Sequence, residues 1–420
     1  MRDDTKCLHS GYTPGNTEPR VVPIVQSTTY VYDSAEEISS VFDEPTKSLI
    51  YSRFANPTVM AVESKIADLE GGIAAMCTTS GQAATLLAIL NLCEAGDSFI
   101  SVAQIYGGSL NLFSFTFKKM GIECIYVDND ATEDEITTAF KPNTKLIFGE
   151  TLANPALTVL DIEKFAKVAH SKNVPLIVDN TFPTPILCKP IDFGADIVVH
   201  STSKYMDGHA LQVGGVIVDS GNFDWKSGNF PGLTEPDMSY HGIIYTETYG
   251  KAAYIIKARM QLMRDFGVYP SAHSAFLLNL GLETLALRMR KYCENATEVA
   301  LFLKTSNKVT NINYPGLKDN KYHNLAKKYL KGTSGVITFS LVGGKEAAIK
   351  FMDSLKLASN VIHVADIRTC VLHPASTTHR QLSEEQQKAA GLDPGMIRFS
   401  VGLEDIEDII EDITQALQEI

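Results

Sequence analysis

The chain has 420 residues, too many for one ordinary core, so at least two packed domains are expected in the subunit. Hydrophobic residues make up 45% of it, which is enough to bury large cores and argues against disorder. The formal net charge of -12 argues against nucleic acid as a partner, because the average electrostatic term would be repulsive; a local basic pocket for a phosphate remains open.

Residues 1–60 are rich in Pro, Thr, Ser and Tyr with few periodic runs. Such a stretch makes a poor core, so it is expected to lie across other surfaces as an arm. From 61 the pattern changes to alternating units. A helix is predicted over 62–70, ended by Gly71-Gly72, then a strand over 74–78, a turn at Ser80-Gly81-Gln82 and a helix over 83–92. Strand-like runs follow at 98–102, 123–127, 146–150, 176–179, 197–200 and 215–218, with helical patterns between most of them, notably 109–120 and 161–171. Short apolar strands alternating with helices predict an α/β domain over 61–250 with a mostly parallel sheet covered on both faces. Ligands bind at the carboxyl ends of strands in such sheets. Residues 220–248 read as loop, and a long helical pattern starts near Tyr249. Beyond it come a strand over 336–341, a helix over 345–355, strands near 370–373 and 397–401, and a last helix from Leu403. That mixture predicts a smaller α+β domain over 251–420.

Several polar side chains fall at the ends of predicted strands. Ser80-Gly81-Gln82 stands between a strand and a helix, where backbone amides suit an anion; an ordinary tight turn reads the same way. Asp179 ends the run Leu-Ile-Val-Asp and is either a helix cap or a partner for a protonated ring nitrogen. Lys204 follows the apolar run 197–199 and is flanked by hydroxyls in His200-Ser201-Thr202-Ser203-Lys204-Tyr205. Most lysines are solvated surface groups, but one in a dry, cationic pocket has a lowered pKa and becomes a nucleophile for an aldehyde. Tyr106 is either a packed loop aromatic or a ring stacked on a flat cofactor, with a hydroxyl free for proton transfer. Arg398, a charge inside a strand pattern, is either outward-facing or a clamp for an amino-acid carboxylate.

The histidines show no helical pairing with acidic partners, so no metal site is expected. The seven cysteines are scattered and form no C-x-x-C pair, which reads as reduced, buried thiols. The polar N-terminus and the lack of a bilayer-length apolar run lead us to expect a cytoplasmic protein with no membrane partner.

Taken in order, the segments 51–58 (YSRFANPT), 79–83 (TSGQA), 178–182 (VDNTF), 200–205 (HSTSKY), 373–379 (HPASTTH) and 398–404 (RFSVGLE) resemble the cysteine/methionine-metabolism family of pyridoxal-phosphate enzymes, over nearly the whole chain. The resemblance implies an aspartate-aminotransferase-like (type I) fold, pyridoxal 5'-phosphate as cofactor, and a homotetramer built from dimers that share active sites. It implies that Lys204 carries the cofactor as a Schiff base, that Asp179 pairs with the pyridine nitrogen, and that Asn154 contacts the phenolic oxygen. Tyr106 would stack on the ring; Gly81, Gln82, Ser201 and Ser203 would bind the phosphate. Tyr51 and Arg53 would reach the phosphate of the neighbouring subunit, with Tyr51 also facing the substrate, and Arg398 would hold the substrate carboxylate. Lys204 and Tyr106 would be the catalytic pair.

Within the family, 230–236 (FPGLTEP), 239–242 (SYHG) and the Gly107-Gly108 pair are similar to the O-acetylhomoserine sulfhydrylase branch. Methionine γ-lyases usually place a cysteine where Gly108 stands. One departure is His363, where many members have Asn or Ser. The expected reaction is γ-replacement: O-acetyl-L-homoserine plus sulfide gives L-homocysteine and acetate, and methanethiol in place of sulfide gives methionine. The alternatives are a γ-elimination lyase acting on methionine or cystathionine, and a non-catalytic phosphate-ligand binding protein with Lys204 as a salt-bridge partner.

Overall fold

The computed structural model describes residues 1–43, 49–227, 229–378, 380 and 393–420; His379, the last residue of the 373–379 motif, lies outside them. Seven strands form the large sheet: β1 (Ala74–Thr78), β2 (Ser98–Val102), β3 (Glu123–Val127), β4 (Thr144–Glu150), β5 (Leu176–Asp179), β6 (Ile197–Ser201) and β7 (Gly215–Asp219), in the order β1-β7-β6-β5-β4-β2-β3. The pairs from β6 through β5, β4 and β2 to β3 are parallel, and β7 runs antiparallel to both β1 and β6. β2 and β7 are buried along their whole length, as strands covered on both faces must be. The helix Pro57–Glu70 packs on β1 and β7, Gly81–Leu90 on β6 and β7, and Ile162–Ser171 on β4 and β5.

The smaller sheet takes β8 (Val309–Asn313), β9 (Val336–Leu341), β10 (Ser359–Asn360), β11 (Cys370–Leu372) and β12 (Met396–Ser400) in the order β10-β11-β12-β9-β8. The chain therefore has the expected type I architecture, a mostly parallel central sheet followed by a smaller α+β part. The apolar core divides into two clusters, and the helix Leu285–Thr305 contributes to both: Leu285, Ala286, Met289 and Tyr292 join the first, while Ala296, Val299, Ala300 and Leu303 join the second. Residues 251–292 thus pack mainly with the large sheet, and the change of core comes inside that helix, beyond the division expected at 250.

Three local differences from the sequence reading have physical causes. First, residues Asp3–His9, within the segment read as an arm with few periodic runs, form a regular helix packed on its own chain, with Cys7 buried at 1% exposure. Ion pairs fix it: Asp3 with Lys189 at 2.8 Å and Lys6 with Asp68 at 2.8 Å. Second, the helical runs near 109–120 and after Tyr249 contain π-helical turns at Leu112–Phe117 and Ala258–Met263. Third, the segment 220–248 carries short helical turns, anchored by an aromatic cluster. Trp225 stacks on Tyr254 at 5.1 Å and meets Phe230 edge-on at 5.2 Å.

Candidate active site

The carboxyl ends of β4, β5 and β6 open into a cavity of about 370 Å³. Lys204, Asp179, Tyr106, Asn154, Gly81, Gln82, Ser201 and Ser203 all line it. The sheet order explains this meeting of residues far apart in sequence: Glu150 and Asp179 are register partners on neighbouring strands, and Ser201 ends the next strand over.

Asp179 does not cap a helix of its own. Its Oδ1 accepts the Thr181 amide at 2.9 Å and the Thr181 hydroxyl at 2.5 Å, and that hydroxyl in turn accepts the Ser201 amide at 2.9 Å. Burial raises the Asp179 carboxyl above its ordinary pKa, against the pull of the Thr181 bonds. Ser80 caps the helix Gly81–Leu90, its hydroxyl accepting from the Ala83 amide at 3.1 Å. The helix begins at Gly81, two residues earlier than the sequence pattern suggested, because the cap fixes its start. The amides of Gly81 and Gln82 have no acceptor inside the helix and stand at its positive end. A Cβ on Gly81 would lie 2.5 Å from the Ser201 Cβ, so only glycine lets this turn approach the end of β6.

Lys204 sits in a turn held from the small-domain side. The next residue, Tyr205, is fully buried; its hydroxyl accepts the Gly335 amide at 2.9 Å, and its carbonyl accepts from Arg288 at 2.7 Å. Burial first, and then the Arg398 charge, push the Lys204 amine down to about 8. Arg398, on the internal strand β12, is 4% exposed, so the outward-facing reading is excluded. It donates to Asn154 Oδ1 at 3.2 Å and to the carbonyls of Ile362 at 3.2 Å and His363 at 3.0 Å, while its Nε has no partner. Burial lowers its pKa to about 10.

Tyr106 is 43% exposed at the cavity mouth, so the packed-aromatic reading does not hold. A Cβ on Gly108 would lie 2.4 Å from its ring, so this ring position requires glycine there. His363 also lines the cavity, with Nε2 buried and unpartnered. Burial and then the Lys204 charge lower its pKa to about 4, which keeps the imidazole neutral. Glu150 and Thr181 were not read from the sequence as site residues, yet both line the cavity. The signal for Glu150 was the one used for Asp179, an acid ending an apolar strand.

Tyr51 and Arg53 stand apart from this cavity. Tyr51 is 37% exposed. The Arg53 guanidinium lies 5.6 Å from the Tyr51 ring centroid and 5.4 Å from that of Phe54, and it donates to the Arg264 carbonyl. Among the described residues, no group of three or more His, Cys, Asp or Glu side chains is placed to hold a metal ion, and no helix is long and apolar enough to cross a membrane.

A family profile described as Cys/Met metabolism PLP-dependent enzyme matches residues 4–418. The chain is 43% identical over 431 residues to the O-acetyl-L-homoserine sulfhydrylase of Leptospira meyeri, covering 100% of this chain and 97% of that one. It is 44% identical over 420 residues to O-acetyl-L-homoserine sulfhydrylase 1 of Thermus thermophilus, covering 99% and 100%. A crystal structure of an O-acetylhomoserine (thiol)-lyase from Campylobacter jejuni, which carries N'-pyridoxyl-lysine-5'-monophosphate, superposes with a TM-score of 0.96 at 35% identity over 100% of both chains.

Proposed function

Since this chain belongs to the Cys/Met metabolism family of pyridoxal-phosphate-dependent enzymes, we propose that it is an O-acetyl-L-homoserine sulfhydrylase, converting O-acetyl-L-homoserine and sulfide to L-homocysteine and acetate, or with methanethiol to methionine. The observation that carries this reading is the full-length likeness to sulfhydrylases, at 43% and 44% identity. The described cavity suits the cofactor: a glycine turn at a helix start for the phosphate, a buried carboxylate for the ring nitrogen, and a lysine whose amine is brought down to about 8.

In this reading Gly81, Gln82, Ser201 and Ser203 would hold the phosphate, Asp179 the ring nitrogen, Asn154 the phenolic oxygen, Tyr106 the ring face and Lys204 the aldehyde carbon. The bound cofactor supplies an electron sink for negative charge developing on the substrate carbons. Arg398 receives the substrate carboxylate; its spare Nε and its buried, desolvated head favour a planar anion. Lys204, once released, removes the α-proton at Nζ and later returns it; an amine near pKa 8 is close to the value at which a base both accepts and gives up protons readily. The Tyr106 hydroxyl, at the mouth, is a second proton carrier. The neutral His363 ring adds a polar wall without a competing charge.

The active unit in this reading is a homotetramer, a dimer of dimers, in the cytoplasm. Tyr51 and Arg53 serve a neighbouring subunit's phosphate, and Tyr51 its substrate. Support comes from the lining of the described cavity, which includes neither residue. The test of the reaction is an assay of the purified protein on O-acetyl-L-homoserine with and without sulfide, following homocysteine and 2-oxobutyrate. Sulfide-dependent homocysteine with little 2-oxobutyrate is expected; 2-oxobutyrate as the main product in both arms would favour γ-elimination instead.

A further inference from the structure

Glu150 ends β4 and is 5% exposed, yet none of the roles above uses it. Its two carboxyl oxygens serve two different loops. Oε1 accepts the Tyr106 amide at 2.6 Å, and Oε2 accepts the Asn154 amide at 3.2 Å. Tyr106 belongs to the loop after β2, and Asn154 to the loop after β4; the Asn154 side chain in turn accepts from Arg398, on β12 of the small domain. A single side chain therefore links the Tyr106 loop to Asn154, whose own side chain meets the Arg398 guanidinium. Buried carboxylates are costly, and this one stands beside a second, Asp179, its register partner on β5. A buried glutamine would fill the same volume without that repulsion, but its amide nitrogen cannot accept an N–H, so it could serve only one of the two loops.

We propose that Glu150 is a positioning residue, whose carboxyl group holds the Tyr106 loop and the Asn154–Arg398 arm in register with each other. The inference rests on the proposed function only in taking Tyr106 and Arg398 as groups that meet cofactor and substrate. Misplacing such groups by about 1 Å costs on the order of 100-fold in rate. The inference also accounts for the acid's state. Burial, and then the Asp179 charge, push Glu150 well above the ordinary carboxylate range, while the two amide bonds pull the other way.

The experiment compares Glu150→Gln and Glu150→Asp with the parent protein by amide hydrogen exchange, in cofactor-free and cofactor-loaded forms, and by steady-state kinetics. In Glu150→Gln, which keeps one acceptor oxygen, exchange should quicken in one of the two peptides covering Tyr106 and Asn154 even without cofactor, with the rest of β4 and β5 protected as in the parent. The loaded variant should keep a borohydride-reducible chromophore, while kcat/KM for O-acetyl-L-homoserine falls by about 10- to 100-fold. Its KM should rise, because the Arg398 arm is displaced. Glu150→Asp, one methylene shorter, keeps two acceptors but cannot span both loops, so one of the two peptides should loosen. Should Glu150→Gln fail to fold, Glu150→Asp alone decides. Parent-like exchange at both peptides in a variant that folds, or parent-like kcat and KM per loaded site, would overturn the proposal. If the parent protein lacked sulfhydrylase activity, the proposed function would fall, while the exchange data would still report on the link itself.

Discussion

The strand ends of the large sheet and the N-terminal segment both carry side chains of site type, and they are held in different ways. At the strand ends a hydrogen-bond chain runs from the Ser201 amide through Thr181 to Asp179, and the sheet register fixes its two ends. Among the described residues of 27–56 the chain has one short helix, Ala35–Asp43, and an isolated bridge between Tyr51 and Thr29, before Asn56 caps the helix that follows. The first region is fixed by its own hydrogen bonds and strand register, which suits catalysis by orientation. The second holds Arg53 against two aromatic faces and a carbonyl, outside the lining of its own cavity.

The largest expected effect breaks the preorganised region. Lys204→Ala should remove the borohydride-reducible adduct and nearly all turnover, while the fold persists, since Tyr205 and its partners keep the turn in place. Reduction, assay and thermal unfolding read this together. An adduct and normal activity in the variant would mean that Lys204 is not the anchor.

Arg398→Ala comes next. Removing one partner of a buried carboxylate–guanidinium pair costs about 3–5 kcal/mol. The substrate's KM should rise far more than the dissociation constant of the cofactor, because Arg398 bonds Asn154 and two backbone carbonyls rather than the phosphate cradle. Unchanged KM and kcat with O-acetyl-L-homoserine would remove the carboxylate clamp.

Much of this region was legible in the sequence, for a definite reason. Strands buried on both faces leave continuous apolar runs, and a polar residue ending such a run stands out; Asp179 and Ser201 were readable that way. Glu150 ends a run of the same kind but shares its signal with an ordinary cap, and only the register that sets it beside Asp179 separates the two. The π-turn at Leu112–Phe117 has no signature, because one extra residue in a turn leaves the helical composition intact. The turns between 225 and 248 were hidden by a glycine- and proline-rich composition, and their order comes from contacts with Tyr254, distant in sequence.

A smaller effect sharpens the account of why the strand-end region is reactive. The Lys204 amine is lowered from 10.5 to about 8, first by burial and then by Arg398, while Cys370 opposes the shift. Below that value it is an ammonium and cannot attack an aldehyde. In the cofactor-free protein the rate of adduct formation with pyridoxal phosphate should therefore climb as pH passes through about 8. Removing the Arg398 cation takes away one lowering cause, so the same rise should move to higher pH in Arg398→Ala. Coincident profiles for the two proteins would show that the guanidinium does not act on the amine.

The last prediction tests whether the second region completes a neighbour's site. In the proposed phosphate set of hydroxyls, amides and Tyr51, Arg53 would be the charged member. Arg53→Ala and Lys204→Ala should each be nearly inactive alone, for different reasons: one lacks a phosphate partner, the other the amine. If Arg53 serves the partner subunit, a dimer of one variant with the other has both lesions in one site and neither in the second. The intact site should work. After random reassortment of equal amounts, half of the dimers are mixed and each has one working site in two, so activity should return to about a quarter of the parent's. Were Arg53 to act within its own chain, every site in the mixture would carry one lesion, and verified mixed dimers would show no recovery.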